Sequence, residues 1–374
     1  MCGLTSVRLS DSAEWLVSET MPFRVAGMTD KKLSYKSSGV NRDTENETKE
    51  GMASALETSD PRVLNKIGAF ASLYDGAFPE YKHPVLVLKT EEPGTKQLLA
   101  QKYDKFESVC HDLINHLVND CIVMGAKPLS IQDCIVCGKV EKPTVLRMVN
   151  AFAEAAKNNE CTLTGGETSW QPGVIPEGTY ILTASIVGVV EKERIIDGSK
   201  IKDGDKIIAL ASSGVHTNGI SLVRKILEES PDILKEEVDG KPFIEAVLTP
   251  HRAYYKSLKD LFVSDSLVGL AHITGGGIQE NLDRILPADL NASIDLSKIR
   301  ILPIFETLKK FGGLEDADML RTFNMGVGIA AVVREDIADE LVAHMQTSGI
   351  EAYEIGSITQ GSGEVSFTGQ LAWS

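Results

Sequence analysis

Apolar positions along the chain fall into short runs and helical stripes separated by glycine and proline. Val85–Leu88 is a brief apolar run that predicts a buried strand. It gives way to Thr90-Glu91-Glu92-Pro93-Gly94-Thr95-Lys96, where Pro93 and Gly94 force a turn. The stripe Val109, Leu113, Leu117, Cys121 and Met124 predicts a helix over Phe106–Met124, with Gly125 as its C-terminal cap. Leu129–Val136 reads as a strand. Thr144–Asn158 reads as a helix with Val145, Met148, Val149, Phe152 and Ala156 on its apolar face. Cys161–Leu163 predicts a strand ending at Gly165-Gly166-Glu167-Thr168, and the β-branched run Ile181–Val190 another. Ahead of these, residues 33–60 are polar and read as a lead-in with a short helix over 43–56.

Near residue 200 the pattern restarts. The turn Lys202-Asp203-Gly204-Asp205 precedes a strand, Lys206–Ala211, then a glycine loop and the helix Ile220–Glu229. A second helix is expected over His251–Val263. The strand Gly269–Ile273 leads through three glycines into the helix Ile278–Ile285. Gly326–Val333 and Ala352–Ile358 predict strands on either side of a helix, Asp336–Ser348. This alternation argues α/β or α+β layers, and no solenoid period is present.

A chain of 374 residues is too long for one ordinary core. Residues 1–32 are therefore expected to be an extension, with domains over 33–200 and 201–374. A net charge of −15 repels nucleic acid and anionic membrane, so neither is expected as a partner. The same charge repels phosphorylated substrates, so an anion site must be built locally from backbone amides and a few cations. No apolar run approaches the ~20 residues that span a bilayer. Ser, Glu and Asp interrupt the apolar positions of the first 27 residues, so no signal-peptide core forms there. A cytoplasmic location is expected, with Met28-Thr29-Asp30 as an alternative start. The cysteines at 2, 110, 121, 134, 137 and 161 do not read as a disulfide framework. Cys134-x-x-Cys137 has no second pair, so reduced core thiols are expected.

Five segments concentrate chemistry. The turn after the first strand places Glu91, the Gly94 amide, the Thr95 hydroxyl and the Lys96 ammonium close together, as nucleotide phosphates require; a solvated turn is the plain alternative. On the helix 106–124, Asp112, His116 and Asp120 share one face, with Asn119 beside them. Buried charges need partners, so this face is either a metal site or a partly solvated one. Gly165 and Gly166 allow a backbone to approach a ligand, and Glu167 follows. Ser212-Ser213-Gly214-Val215-His216-Thr217-Asn218-Gly219 sets free amides, a histidine and an asparagine before a helix N-terminus. His272-Ile273-Thr274-Gly275-Gly276-Gly277 repeats that plan. Neither loop is a P-loop or a dinucleotide fingerprint.

Taken in order, these segments resemble the aminoimidazole ribonucleotide synthetase (phosphoribosylformylglycinamidine cyclo-ligase) family. The matching stretches are Leu33-Ser34-Tyr35-Lys36-Ser37-Ser38-Gly39-Val40, Val118-Asn119-Asp120, Gly125-Ala126-Lys127-Pro128-Leu129, Gly165-Gly166-Glu167-Thr168, Ile195-Ile196-Asp197-Gly198-Ser199, Ser212 through Lys225, His272 through Gly277 and Arg321 through Gly328. The resemblance implies an α+β N-terminal domain that contributes its sheet to a dimer β-barrel. It implies a C-terminal domain of helices packed on a mixed sheet, and a homodimer.

It also implies an ATP-dependent closure of formylglycinamidine ribonucleotide to aminoimidazole ribonucleotide in de novo purine biosynthesis, with another ATP-dependent member of the same superfamily, phosphorylating a different amide, phosphate or selenide acceptor, as the alternative. Asp120, Glu167 and Glu91 would hold magnesium, and Lys96, His216 and His272 would act on the reacting groups. Lys36, Glu91, Thr95, Gly165, Gly166, Asn218, Gly219, Gly275 and Gly276 would line the nucleotide and substrate. Two stretches depart from the family pattern. Glu91-Glu92-Pro93 stands where the family usually has Asp-Gly-Val, and Leu113–Asn119 replaces apolar and small residues.

Overall fold

The computed structural model describes residues 47–48, 51–52, 56–65 and 69–373. Lys36, the segment 33–40, the extension expected over 1–32 and most of the helix expected over 43–56 lie outside the described residues.

The first half contains β1 (Pro84–Glu91), α1 (Lys96–Lys102), α2 (Phe106–Ile122), β2 (Lys127–Cys137), α3 (Lys142–Asn158), β3 (Thr162–Trp170) and β4 (Tyr180–Glu191). Its strands form one sheet in the order β1-β4-β2-β3. β1 and β2 run antiparallel to β4, and β3 runs parallel to β2. Leu113, Leu117 and Cys121 of α2 and Met148 and Phe152 of α3 are fully buried in the core.

β3 does not stop at the glycine pair, as expected, but continues to Trp170. Gly166 pairs with Asp133, and a Cβ at Gly166 would stand 2.3 Å from the Asp133 carbonyl oxygen and 2.4 Å from Oδ1. The missing side chain lets β3 lie against β2, so the glycine here extends a strand rather than ending it.

The second half opens with β5 (Lys206–Ala211) and α4 (Ile220–Glu229). A two-residue hairpin follows, β6 (Glu237–Val238) and β7 (Lys241–Pro242), then α5 (Phe243–Val247) and α6 (Tyr255–Leu258). Next come β8 (Leu267–His272), α7 (Gly277–Asp283), β9 (Leu290–Asp295), α8 (Pro303–Gly312) and α9 (Asp316–Thr322). The chain finishes with β10 (Val327–Val333), α10 (Ala338–Thr347), β11 (Ala352–Gln360) and β12 (Val365–Thr368). The sheet order is β12-β9-β11-β5-β10-β8. All its pairs are antiparallel except β12 with β9. β8 and β10 are buried at every position, which is why they read as unbroken apolar runs. The fold is thus mixed α+β, with no strand among the described residues shared between the two large sheets.

The long helix expected over 251–263 is not formed. Only α6 and a short 3-10 turn, Lys259–Leu261, are helical. Side chains of α2 take the backbone groups that a helix would have used. Asp112 accepts the His251 N–H at 2.8 Å, and Asn115 donates to the His251 carbonyl at 2.7 Å. Asn119 donates to the Arg252 carbonyl at 2.8 Å and accepts the Tyr254 N–H at 3.4 Å. Ser108 reaches the Leu248 carbonyl, and Ser213 the Pro250 carbonyl at 2.7 Å. Residues 248–254 therefore form a non-helical strap pinned across α2, and tertiary hydrogen bonds override the local helical pattern.

Candidate active site

Four of the seven histidines meet where α2, the strap, β8 and the loop after β5 converge. His116 and Asp120 are one turn apart on α2. His272 ends β8, His216 sits in the 212–219 loop and His251 in the strap. The His216 and His251 rings stack with centroids 3.8 Å apart. His251 Nε2 lies 2.9 Å from His272 Nε2, and His272 Nδ1 lies 2.7 Å from Asp120 Oδ1. His116 Nδ1 contacts the Thr217 hydroxyl at 2.9 Å. From β1, Lys89 Nζ sits 3.0 Å from both Glu91 Oε2 and Asp120 Oδ2.

The local protonation pattern follows from burial and partners. Burial, with the neighbouring charge of His272, pushes His116 down to about 4, against the pull of Asp120 and Glu91. Burial and the surrounding cationic groups hold His216 and His251 well below the usual imidazole range. Both are neutral at pH 7. Burial works to raise the Asp120 carboxyl, but the hydrogen bonds from His272 and Lys89 outweigh it and hold it well below the usual carboxylate range, so it stays ionised. As an acceptor-only carboxylate it takes the His272 Nδ1–H. His216 Nε2 accepts the backbone N–H of Ser213 at 3.1 Å and of Arg252 at 3.4 Å. The single proton of neutral His216 therefore lies on Nδ1.

Among the described residues, that Nδ1 is buried and has no partner. The same is true of Asn218 Nδ2, His251 Nδ1 and Arg252 Nε. Leaving such a group unpaired costs about 1–3 kcal/mol, and four of them come from two adjoining segments. His216 also adopts a left-handed backbone, φ 56°, which is uncommon for a non-glycine residue. Unpaired polar atoms and local strain gathered in one place are the signature of a ligand site.

Lys96 does not face that site. It is fully buried, and its ammonium is spent on Asp112 (2.9 and 2.8 Å) and on the carbonyls of His216 (2.9 Å) and Thr249 (3.0 Å). The expectation that it acts on reacting groups is corrected: with three acceptors for three protons, nothing is left for a ligand. Thr95 Oγ1 instead contacts Ser221 Oγ at 3.3 Å, tying the 90–96 turn to the start of α4.

The expected trio Asp120, Glu91 and Glu167 does not gather at one point. Asp120 and Glu91 converge on Lys89, whereas Glu167 is exposed on β3, where its charge acts on Asp133. Gly165 and Gly166 lie beside Glu167 within β3. The two glycine loops do meet: a Cβ at Gly275 would stand 3.5 Å from Asn218 Oδ1. Gly219 (φ 74°) and Gly276 (φ 90°) are the left-handed N-caps of α4 and α7.

Lys89, His251 and Arg252 carry no signal in the sequence. Lys89 is a strand residue whose inward position emerges only from the sheet, and the strap's course depends on α2. The two departures noted above also meet in space, Glu91 Oε2 lying 3.8 Å from His116 Nε2.

The AIR synthase related protein family matches in both of its parts, the N-terminal domain over residues 76–190 and the C-terminal domain over 202–368. The chain is 40% identical over 327 residues to the phosphoribosylformylglycinamidine cyclo-ligase of Burkholderia cenocepacia, covering 87% of this chain and 93% of that one. It is 40% identical over 334 residues to the enzyme of the same name from Neisseria meningitidis serogroup C, covering 89% and 97%. Among solved structures it is similar to Escherichia coli HypE, with TM-score 0.63 and 16% identity over 87% of this chain and 94% of that one. It is likewise similar to thiamine-monophosphate kinase from Stenotrophomonas maltophilia, with TM-score 0.58 and 17% identity over 84% and 93%. Those two likenesses speak to the fold alone. With both family domains matched in order and cyclo-ligase relatives aligned over nearly their whole length, the chain belongs to the AIR synthase family.

Proposed function

We propose that this chain uses ATP to close the imidazole ring of formylglycinamidine ribonucleotide, forming aminoimidazole ribonucleotide, ADP and phosphate. The observation that carries the reading is its 40% identity to cyclo-ligases across 87% of the chain. The buried donors of His216, Asn218 and Arg252, unpartnered among the described residues, support it, because they suit an oxygen-rich anion.

In this reading, phosphoryl transfer from ATP turns the formyl-amide oxygen into a leaving group. The nearby amine nitrogen then attacks that carbon, and phosphate departs. The His216 Nδ1–H and the Asn218 amide donate to the oxygen that gains charge, fixed beforehand by the strap and the glycine loops. His272, oriented by Asp120 and touching His251, moves a proton at the amine end. Lys96 acts as a positioning residue, holding the loops that carry His216 and His251.

Glu91, Thr95, Gly165, Gly166, Gly219, Gly275 and Gly276, together with Lys36, would line ATP and substrate. The convergence of Asp120 and Glu91 on one cation, the Lys89 ammonium, fits a magnesium ion held by those carboxylates. Glu167 would hold it from the nucleotide side. Bound magnesium screens phosphate charge. Leu86 and Leu88, 52% and 70% exposed on the outer face of β1, favour a homodimer formed through that sheet. A cytoplasmic location and a domain division near residue 200 complete the reading.

The test is ADP release with magnesium, ATP and formylglycinamidine ribonucleotide, with the ring product assayed in parallel. One ADP per aminoimidazole ribonucleotide is expected. ATP binding without ring product from that substrate would overturn the assignment.

A further inference from the structure

A single buried amide grips the start of the 212–219 loop. Asn324, 2% exposed in the link between α9 and β10, donates from Nδ2 to the Gly214 carbonyl at 2.9 Å. Its Oδ1 accepts the Gly326 N–H at 2.9 Å and the Ser212 hydroxyl at 3.0 Å. The Ser212 N–H in turn donates to the Gly326 carbonyl at 2.8 Å. These partners fix which way the amide lies, since a carbonyl needs its NH2 end and a backbone N–H its oxygen. Both segments joined by this amide are strained. His216 (φ 56°) and Met325 (φ 54°) are two of the five non-glycine residues with a left-handed backbone among the described residues. Such conformations persist only where the surroundings over-determine them.

Between Ser212 and Gly214 lies the Ser213 N–H, which donates to His216 Nε2 at 3.1 Å. In a neutral imidazole, the hydrogen bond made by one nitrogen decides where the single proton sits. Lys96 holds the His216 carbonyl, but that bond does not act on the ring. The strap offers Nε2 only a longer contact, the Arg252 N–H at 3.4 Å. The fixed aim of the Ser213 N–H is therefore what keeps Nε2 an acceptor and the proton on Nδ1.

We propose that Asn324 is a positioning residue that sets the tautomer of His216. It holds Ser212 and Gly214, these aim the Ser213 N–H at His216 Nε2, and the Nδ1–H is thereby presented as a donor. Only an amide serves. Alanine would leave the Gly214 carbonyl and the Gly326 N–H without this partner, and aspartate would set an oxygen against the Gly214 carbonyl. The effect on turnover rests on the proposed role of His216 in ring closure; the tautomer itself does not.

Proton–nitrogen NMR of the histidine rings in the full-length, nucleotide-free protein tests it, with the His216 signals identified by their loss in His216→Gln. The wild-type protein should show His216 protonated on Nδ1. Asn324→Ala should move the proton partly or wholly to Nε2. It should also lower kcat on the order of 100-fold with KM for ATP unchanged, as expected of a displaced donor rather than a lost binding contact. Asn324→Asp should behave in the same way. Ser212→Ala, which removes one contact of the clamp, should lower kcat roughly tenfold. Circular dichroism identifies the variants that fold. A wild-type tautomer in folded Asn324→Ala, or in Ser212→Ala should the first not fold, would overturn the proposal. A shifted tautomer with wild-type turnover would leave the clamp standing and remove His216 from the ring-closing chemistry instead.

Discussion

Replacing Lys96 by methionine tests how the site is held together. The ammonium is fully buried and bonds to Asp112, the His216 carbonyl and the Thr249 carbonyl. Burial pushes Lys96 down and Asp112 up to about 6, while their contact opposes both shifts. Three oxygen acceptors around Nζ hold the ammonium form, so the pair is charged at neutral pH.

Methionine keeps the stem's packing but removes all three donors. Asp112 is left with the His251 N–H, and two carbonyls lose a partner. Breaking one side of a buried pair costs about 3–5 kcal/mol. At about 2.1 cal/mol/K per residue, the unfolding entropy of this chain is about 0.8 kcal/mol/K, so Tm should fall by about 4–6 °C. Turnover should fall as well, because the freed carbonyls belong to the segments carrying His216 and His251. Adding Asp112→Asn should restore part of the lost Tm, since it removes the stranded charge. Thermal melts and steady-state kinetics on the three proteins provide the readout. An unchanged Tm with turnover abolished would refute the reasoning and return Lys96 to the reacting groups.

Asp120→Asn, which loses the charge that orients His272 and Lys89, should lower kcat on the order of 100-fold with circular dichroism unchanged; near-normal turnover would take Asp120 out of the site. Burial, helped by Glu167, pushes the Asp133 carboxyl up to about 7, above its unfolded value of about 3.9. Its contribution to stability is therefore complete below about pH 4 and is lost as pH rises through 7, so Asp133→Asn should raise Tm at about pH 8 and much less at about pH 5. Gly219→Ala puts a Cβ 2.3 Å from Phe323 Cε1 at φ 74° and should cost about 2–4 kcal/mol, read by urea unfolding; a wild-type midpoint would show the loop to be adaptable. Leu88→Glu should convert a dimer into monomers by light scattering, and a monomeric wild-type protein would remove the interface from β1.

Much of the fold was legible in the chain itself. Lys206–Ala211 and Ile220–Glu229 match their expected bounds, and β4 and β10 lie within a residue of theirs, because buried strands and a strongly amphipathic helix carry a local hydrophobic period. The glycine loops with His216 and His272 were equally visible, since small residues ahead of a helix mark themselves. β9, β12, α1, α5, α8 and α9 lie outside the expected elements, and the strap has a helical pattern that its contacts with α2 override.

Within the site the division is sharper. Asp112, His116, Asn119 and Asp120 could be placed on one helix face by spacing alone. Which of them grips the strap and which faces the histidines depends on what packs against each turn of α2. The role of Lys96 was reversed in the same way: a lysine after a Gly-Thr turn looks like a phosphate ligand until its three acceptors are seen. His251 joined the site only because side chains of α2 bind its backbone. Local period and turn chemistry are properties of the sequence. Many partners of these buried polar groups lie more than a hundred positions away, as His216 does from Lys96 and Asp120 from His272, and only the tertiary structure decides them.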